Sequence, residues 1–144
     1  MVPRALYDVN MLIALFDPLH VRHGTARAWH GANGQHGWAS CPLTQNGLIR
    51  IMSQPRYASP QTLASMLYAV REFSGDAAHA FWPDDISIAA SGILTPEFAL
   101  TSGMLTDLYL LALAVRHQGR LVTLDSKIVL SAVVDATGAH IVKL

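Results

Sequence analysis

At 144 residues, 51% of them apolar, the chain has material for one ordinary domain with a substantial core. Ten basic and ten acidic residues cancel, which excludes holding a nucleic acid by an overall basic field and leaves that task to a local arginine patch. A single cysteine, Cys41, excludes a disulfide framework and a cysteine zinc cluster.

In chain order, residues 4–7 predict a short strand ending at Asp8, and 11–16 a helix stopped by Asp17-Pro18. Residues 20–32 carry helical spacing and end at Asn33-Gly34, a C-terminal stop. A second strand is expected over 37–40, then a helix over 43–52 that breaks before Pro55. Ser59-Pro60 reads as an N-cap with proline at the first helical position, opening a helix to about Phe73. Residues 80–82 predict a third strand, Pro83-Asp84-Asp85 a turn, 87–91 a short helix and Thr95-Pro96 a loop. The most apolar helix spans 104–118 and is closed by Gly119. A strand over 120–124 ends at Asp125; a helix over 127–134 and a last strand over 140–142 follow.

Strands alternating with helices predict an α/β fold, a single domain over 1–144 with a mostly parallel sheet. No window approaches the ~18 uninterrupted apolar residues of a membrane span, and the N-terminus lacks a secretory apolar run. A cytoplasmic protein is expected.

Charged residues are only 14% of the chain, so few carboxylates are needed merely to coat the surface. Asp8 and Asp125 each stand just past a predicted strand, and ligands of open parallel sheets bind beyond those ends. Asp107 lies in the first turn of the most apolar helix, where an unpaired buried carboxylate would be unfavourable by several kcal/mol. Like charges gathered there call for a cation, and Mg²⁺ suits an all-oxygen site. Each residue also has a local explanation: Asp8 and Asp125 as helix N-caps, Asp107 as a first-turn acid favoured by the helix dipole. A capping position also holds a carboxylate rigidly, so the two readings are compatible.

Four blocks occur in order: Tyr7-Asp8-Val9-Asn10, the run from Cys41 through Thr44-Gln45-Asn46-Gly47 to Arg50, the run Leu105-Thr106-Asp107-Leu108 to Ala114, and Val122-Thr123-Leu124-Asp125. Together they resemble the signature of PIN-domain ribonucleases, specifically the VapC toxins of bacterial toxin–antitoxin pairs. The turn Phe81-Trp82-Pro83-Asp84-Asp85 resembles a further feature of one VapC subgroup. The resemblance implies a three-layer α/β/α sandwich, usually a homodimer. It also implies Mg²⁺- or Mn²⁺-dependent cutting of RNA (transfer RNA or a ribosomal RNA loop), inhibition by a cognate VapB-like antitoxin, and arrest of translation. By position, Asp8, Asp107 and Asp125 match the family's acidic metal-binding residues, with Asp125 acting directly or through water. Asn10 and Thr106 match polar residues that orient them.

Gln45 is the departure: the family most often has Glu there. Glutamine keeps a carbonyl oxygen but no charge, so metal binding is expected to be weaker and Gln45→Glu to tighten it. Arg50, one helical turn beyond Asn46, is placed for either phosphate contact or an ion pair. Arg56, after Pro55, is a second candidate RNA contact. Asp84 and Asp85 read as a polar turn that either rims the RNA groove or assists the metal. His20 and His23 read as surface residues, Trp29, Trp38 and Trp82 as core or dimer packing, and Cys41 as a buried apolar residue.

Three other functions compete. One is a housekeeping PIN ribonuclease, and another a PIN-derived binding module inactivated by Gln45. A phospho-receiver module fits poorly, because paired acids are expected after its first strand and Asp8 is followed by Val9-Asn10.

Overall fold

In the computed structural model, residues 1–96 and 99–144 are described. The strand β1 (Ala5–Tyr7) is fully buried and forms the middle of a five-stranded sheet with β2 (Trp38–Ser40), β3 (His79–Phe81), β4 (Arg120–Thr123) and β5 (Ile141–Lys143). The order is β3-β2-β1-β4-β5 and each neighbouring pair is parallel. From β1 the chain steps outward to β3, then returns to the other side of β1. The order therefore reverses between β1 and β4, which opens a crevice at their carboxyl ends.

Alternation along the strands divides the core in two. Tyr7, Trp38 and Val122 face a layer made of α1 (Val9–Phe16), α2 (His23–Asn33), α3 (Pro42–Met52) and α4 (Leu63–Ser74), meeting Met11, Leu48, Met52 and Met66. Leu6, Ala39 and Leu121 face α5 (Leu105–Arg116) together with Ile128, Ala132 and Val133. These are the three layers of an α/β/α sandwich of the PIN type. Trp38 lies stacked on Tyr7, ring centroids 5.3 Å apart, and Trp82 is buried against His117 at 4.4 Å. Half-buried Trp29 lies beneath the Arg120 guanidinium. Where α5 returns to the sheet, Gln118 takes the left-handed conformation (φ 56°) and Gly119 follows. A Cβ on Gly119 would stand 2.6 Å from the Arg4 carbonyl and 2.6 Å from Trp82, so only hydrogen fits.

Three predicted helices differ from the structure. The helix expected from Ser59-Pro60 begins at Leu63, capped by Thr62, whose hydroxyl accepts the Ser65 N–H at 3.0 Å. Ser59 is diverted: its hydroxyl donates to Asp17 Oδ2 at 3.4 Å, while the Gln61 N–H reaches the Met52 carbonyl at 2.9 Å. Residues 127–134 form turns and a short 3-10 segment at Leu130–Ala132, because their backbone pairs across the fold. Val134 donates to the Ile93 carbonyl and Thr95 to that of Ala132, both at 2.9 Å, around a Leu94–Val133 bridge. Residues 87–91 are turns and bends. His23 is also more than a surface residue, since its Nδ1 lies 2.7 Å from the Ala14 carbonyl and ties α2 to α1. Among the described residues, no helix is long and apolar enough to cross a membrane.

Candidate active site at the carboxyl edge of the sheet

The chain leaves β1 directly into α1, and Asp8 is the residue between them. Its extended backbone caps the helix: Oδ1 accepts the Met11 N–H at 2.7 Å. Its other oxygen, Oδ2, accepts the hydroxyl of Thr123 at 2.5 Å. Thr123 ends β4 and is fully buried, and its Oγ1 also accepts the Asp125 N–H at 3.0 Å. One hydroxyl thus joins the two acids across the point where strand order reverses. Asp125 Oδ1 accepts the Lys127 N–H at 2.8 Å, a local turn that fixes this carboxylate in its loop.

Asp107 completes the group from the first turn of α5, half-buried and close enough to Asp125 for the two to interact. Burial raises the Asp8 carboxyl to about 6 against the hydrogen bonds from Thr123 and Met11, with the charges of Asp107 and Asp125 adding to the rise. Burial, then the neighbouring Asp125 charge, pushes Asp107 upward too. Among the described residues, none of the three has a cationic ion-pair partner. No three His, Cys, Asp or Glu side chains in the described chain are already closed into a metal-ligand spacing. The chemistry of the donor set nonetheless fits a hard divalent cation, which takes oxygen ligands and offsets the clustered negative charge.

Two clefts meet at Asp107. The first, about 290 Å³, is lined by Asp8, Asn10, Gly47, Arg50, Thr106 and Asp107 among others. The second, about 210 Å³, lies between Met104 and Leu108 on one side and Asp125, Lys127, Ile128 and Val129 on the other.

Asn10 and Thr106 therefore lie beside Asp8 and Asp107, but neither makes a hydrogen bond to a carboxylate among the described residues. Asp8 is held by Thr123 and the start of α1 instead. Arg50 is exposed on the wall of the first cleft, and Arg56, in the loop after α3, lines neither cleft.

Gln45 is not brought to the carboxylates. The cleft face of α3 carries Leu43, Gly47, Arg50 and Ile51, at helical spacing, and two residues on from Leu43 is the opposite face. Gln45 Nε2 donates to Ser40 Oγ at 2.9 Å, and that hydroxyl is 2.7 Å from His79 Nε2. Gly47 is the residue that lets α3 approach: a Cβ there would stand 2.8 Å from Val9 Cγ2.

Asp84 takes up a role the sequence reading did not foresee. Its Oδ2 accepts the Leu43 N–H at 3.0 Å and so caps α3 from the loop after β3, while Asp85 lies 3.3 Å from His117 Nε2. Cys41 is buried, and burial pushes its thiol up to about 11, as befits a packing residue. Thr123 was also missed, although a lone threonine in the apolar run Leu121-Val122-Thr123-Leu124 is the kind of signal that could have found it.

A parallel sheet of this order, covered by helices on both faces and with carboxylates at its reversal point, is consistent with the PIN class of nuclease folds. No family model matches the chain. Ribonuclease VapC44 of Mycobacterium tuberculosis strain H37Rv is 45% identical over 141 residues, covering 98% of this chain and 99% of the relative. Ribonuclease VapC39 of the same strain is 36% identical, covering 97% of this chain and 98% of the relative. Ribonuclease VapC29 is 40% identical over 123 residues, 84% of this chain and 85% of the relative. The chain belongs to the VapC family of ribonucleases.

Proposed function

We propose that this chain is the toxin of a toxin–antitoxin pair, an endoribonuclease that works with Mg²⁺ or Mn²⁺ held by Asp8, Asp107 and Asp125. The observation that carries this reading is the Thr123 bridge, which ties Asp8 to the Asp125 backbone beside Asp107. A VapB-like antitoxin silences the enzyme. The free toxin arrests translation by cutting transfer or ribosomal RNA. The same family reading makes it a cytoplasmic homodimer.

A divalent cation, when bound, lowers the pKa of a coordinated water and offsets charge that develops on the phosphorus. The protein's part is preorganisation. Asp8 is fixed by two hydrogen bonds and needs no reorientation to act as a ligand. Asp107 faces both clefts, so it stands where a phosphodiester crossing between them would lie. Arg50 offers a guanidinium to a phosphate in the first cleft. The engagement of the Gln45 amide with Ser40 speaks against the reading of a binding module inactivated at that residue.

Cleavage of a structured RNA with Mg²⁺ or Mn²⁺, repeated with EDTA and with Asp8→Ala, tests the proposal. Cleavage should require the metal and disappear in the variant, with circular dichroism showing that the variant is folded. Full activity in EDTA, or in folded Asp8→Ala, would overturn it.

A further inference from the structure

The clefts on either side of Asp107 differ in chemistry. The first mixes polar Asn10, Thr106 and Arg50 with apolar Val9, Leu43 and Ile51 on its walls. The second has apolar walls from Met104, Leu108, Ile128 and Val129, and one cation, Lys127, at its rim. Arg50 and Lys127 are both exposed, and neither has a carboxylate partner among the described residues. Of the two clefts that share Asp107, Arg50 lines the one with Asp8 and Lys127 the one with Asp125.

The position of Lys127 is built rather than incidental. Its N–H is bonded to Asp125 Oδ1 at 2.8 Å, so the lysine and the carboxylate share one turn. Lys143, at the end of β5, donates through Nζ to the Ser126 carbonyl at 3.1 Å and to that of Ile128 at 3.4 Å, bracing the loop on both sides of Lys127. A cation that shares a cleft with two carboxylates, Asp107 and Asp125, would ordinarily fold in and neutralise one of them. Among the described residues, Lys127 forms no such pair.

We propose that the cleaved RNA strand crosses Asp107 from one cleft to the other, with Arg50 and Lys127 binding the phosphates on the two sides of the scissile bond. The base next to the Lys127 phosphate packs against Met104, Leu108, Ile128 and Val129. The inference rests on the ribonuclease reading above and deepens it by adding a second, base-accepting subsite. Single strands are held by packing their splayed-out bases against protein side chains, whereas a paired duplex keeps its bases stacked.

Lys127→Ala, Arg50→Ala and, as a control, Arg71→Ala on the exposed face of α4 are compared in two assays. The first measures kcat and KM for RNA cleavage with Mg²⁺ or Mn²⁺. The second measures binding of a fluorescein-labelled single-stranded RNA of mixed sequence by anisotropy in EDTA, with a gel confirming that the RNA stays intact. Lys127→Ala and Arg50→Ala should each raise KM and weaken binding by roughly fivefold. Each should also lower the dependence of log affinity on log salt by about 0.7, one phosphate's share for a single strand. Arg71→Ala should do neither, and Lys127→Arg should restore both. Val129→Trp, which fills the second cleft, should weaken binding of the RNA but not of an abasic strand of equal length, its fold checked by thermal melting.

Unchanged KM and salt dependence in Lys127→Ala, with the wild type cutting RNA normally, would overturn the inference while leaving the ribonuclease reading intact. If the wild type cuts no RNA with either metal, that reading fails and the inference falls with it.

Discussion

Thr123 donates its hydroxyl to Asp8 at 2.5 Å while its own oxygen accepts the Asp125 N–H at 3.0 Å. A buried hydroxyl between two acids has one donor and spare acceptor capacity, and both are used here. Valine has nearly the same shape and neither function. Thr123→Val should therefore destabilise the protein by about 1.5–3 kcal/mol, the range for a hydrogen bond to a charged group. It should also reduce kcat at least tenfold, a change of about 1.4 kcal/mol in transition-state stabilisation, because Asp8 loses its fixed orientation. Thr123→Ser keeps the hydroxyl and should retain most activity. Urea unfolding and RNA cleavage on the same preparations check both parts.

Gln45→Glu was expected from the sequence to tighten metal binding. With residue 45 on the far face of α3, donating to Ser40, a glutamate there brings no new ligand to Asp8. It removes the amide donor instead. Mg²⁺ affinity measured by calorimetry should be unchanged, and stability should fall by about 1 kcal/mol. A clear gain in affinity would return residue 45 to the proposed metal site.

Gly47→Ala should wedge α3 away from α1, because the added methyl meets Val9 Cγ2 at 2.8 Å. Overpacking of this kind destabilises by about 1–3 kcal/mol. Val9→Ala in the same chain removes the obstacle, so the double variant should be more stable than the sum of the two single changes implies. Thermal unfolding of all four proteins closes the cycle.

Asp17 supplies a pH test away from the catalytic edge. Burial pushes its carboxyl up, but the Tyr57 hydroxyl at 2.5 Å, the Leu19 N–H at 2.9 Å and Ser59 outweigh it and hold the group below the usual carboxylate range. A carboxyl depressed in the folded state stabilises the protein above its unfolded pKa, about 3.9, and that contribution is lost as pH falls through the folded value. Tyr57→Phe should cost about 1–2 kcal/mol at neutral pH and shift acid unfolding to higher pH. The gap between wild type and variant should narrow below about pH 3. Urea midpoints across the acid range give the comparison.

The features legible in the sequence are those decided locally. Asp8 and Asp125 follow short apolar runs, and the helix bearing Asp107 declares itself by being apolar nearly all round. What escaped depends on pairing between distant segments. Thr123 finds its partner only after β1 and β4 lie side by side. The face presented by Gln45 depends on the phase of α3, which is set by the fit of Gly47 against Val9. Residues 127–134 have helical spacing, but Val133 pairs with Leu94 and the long-range bridge wins over local propensity. Ser59 would cap a helix if Asp17 did not claim its hydroxyl.

The central strand order also decides when the carboxylate group can form during synthesis. Asp8 and Thr123 are 115 residues apart, so a chain emerging from the ribosome exposes the first acid long before it owns the bridge or the last one. The carboxylate group can assemble only after β4 has been made and has docked against β1. Synthesis itself thus holds the group apart until β4 has emerged, long after Asp8 has left the ribosome.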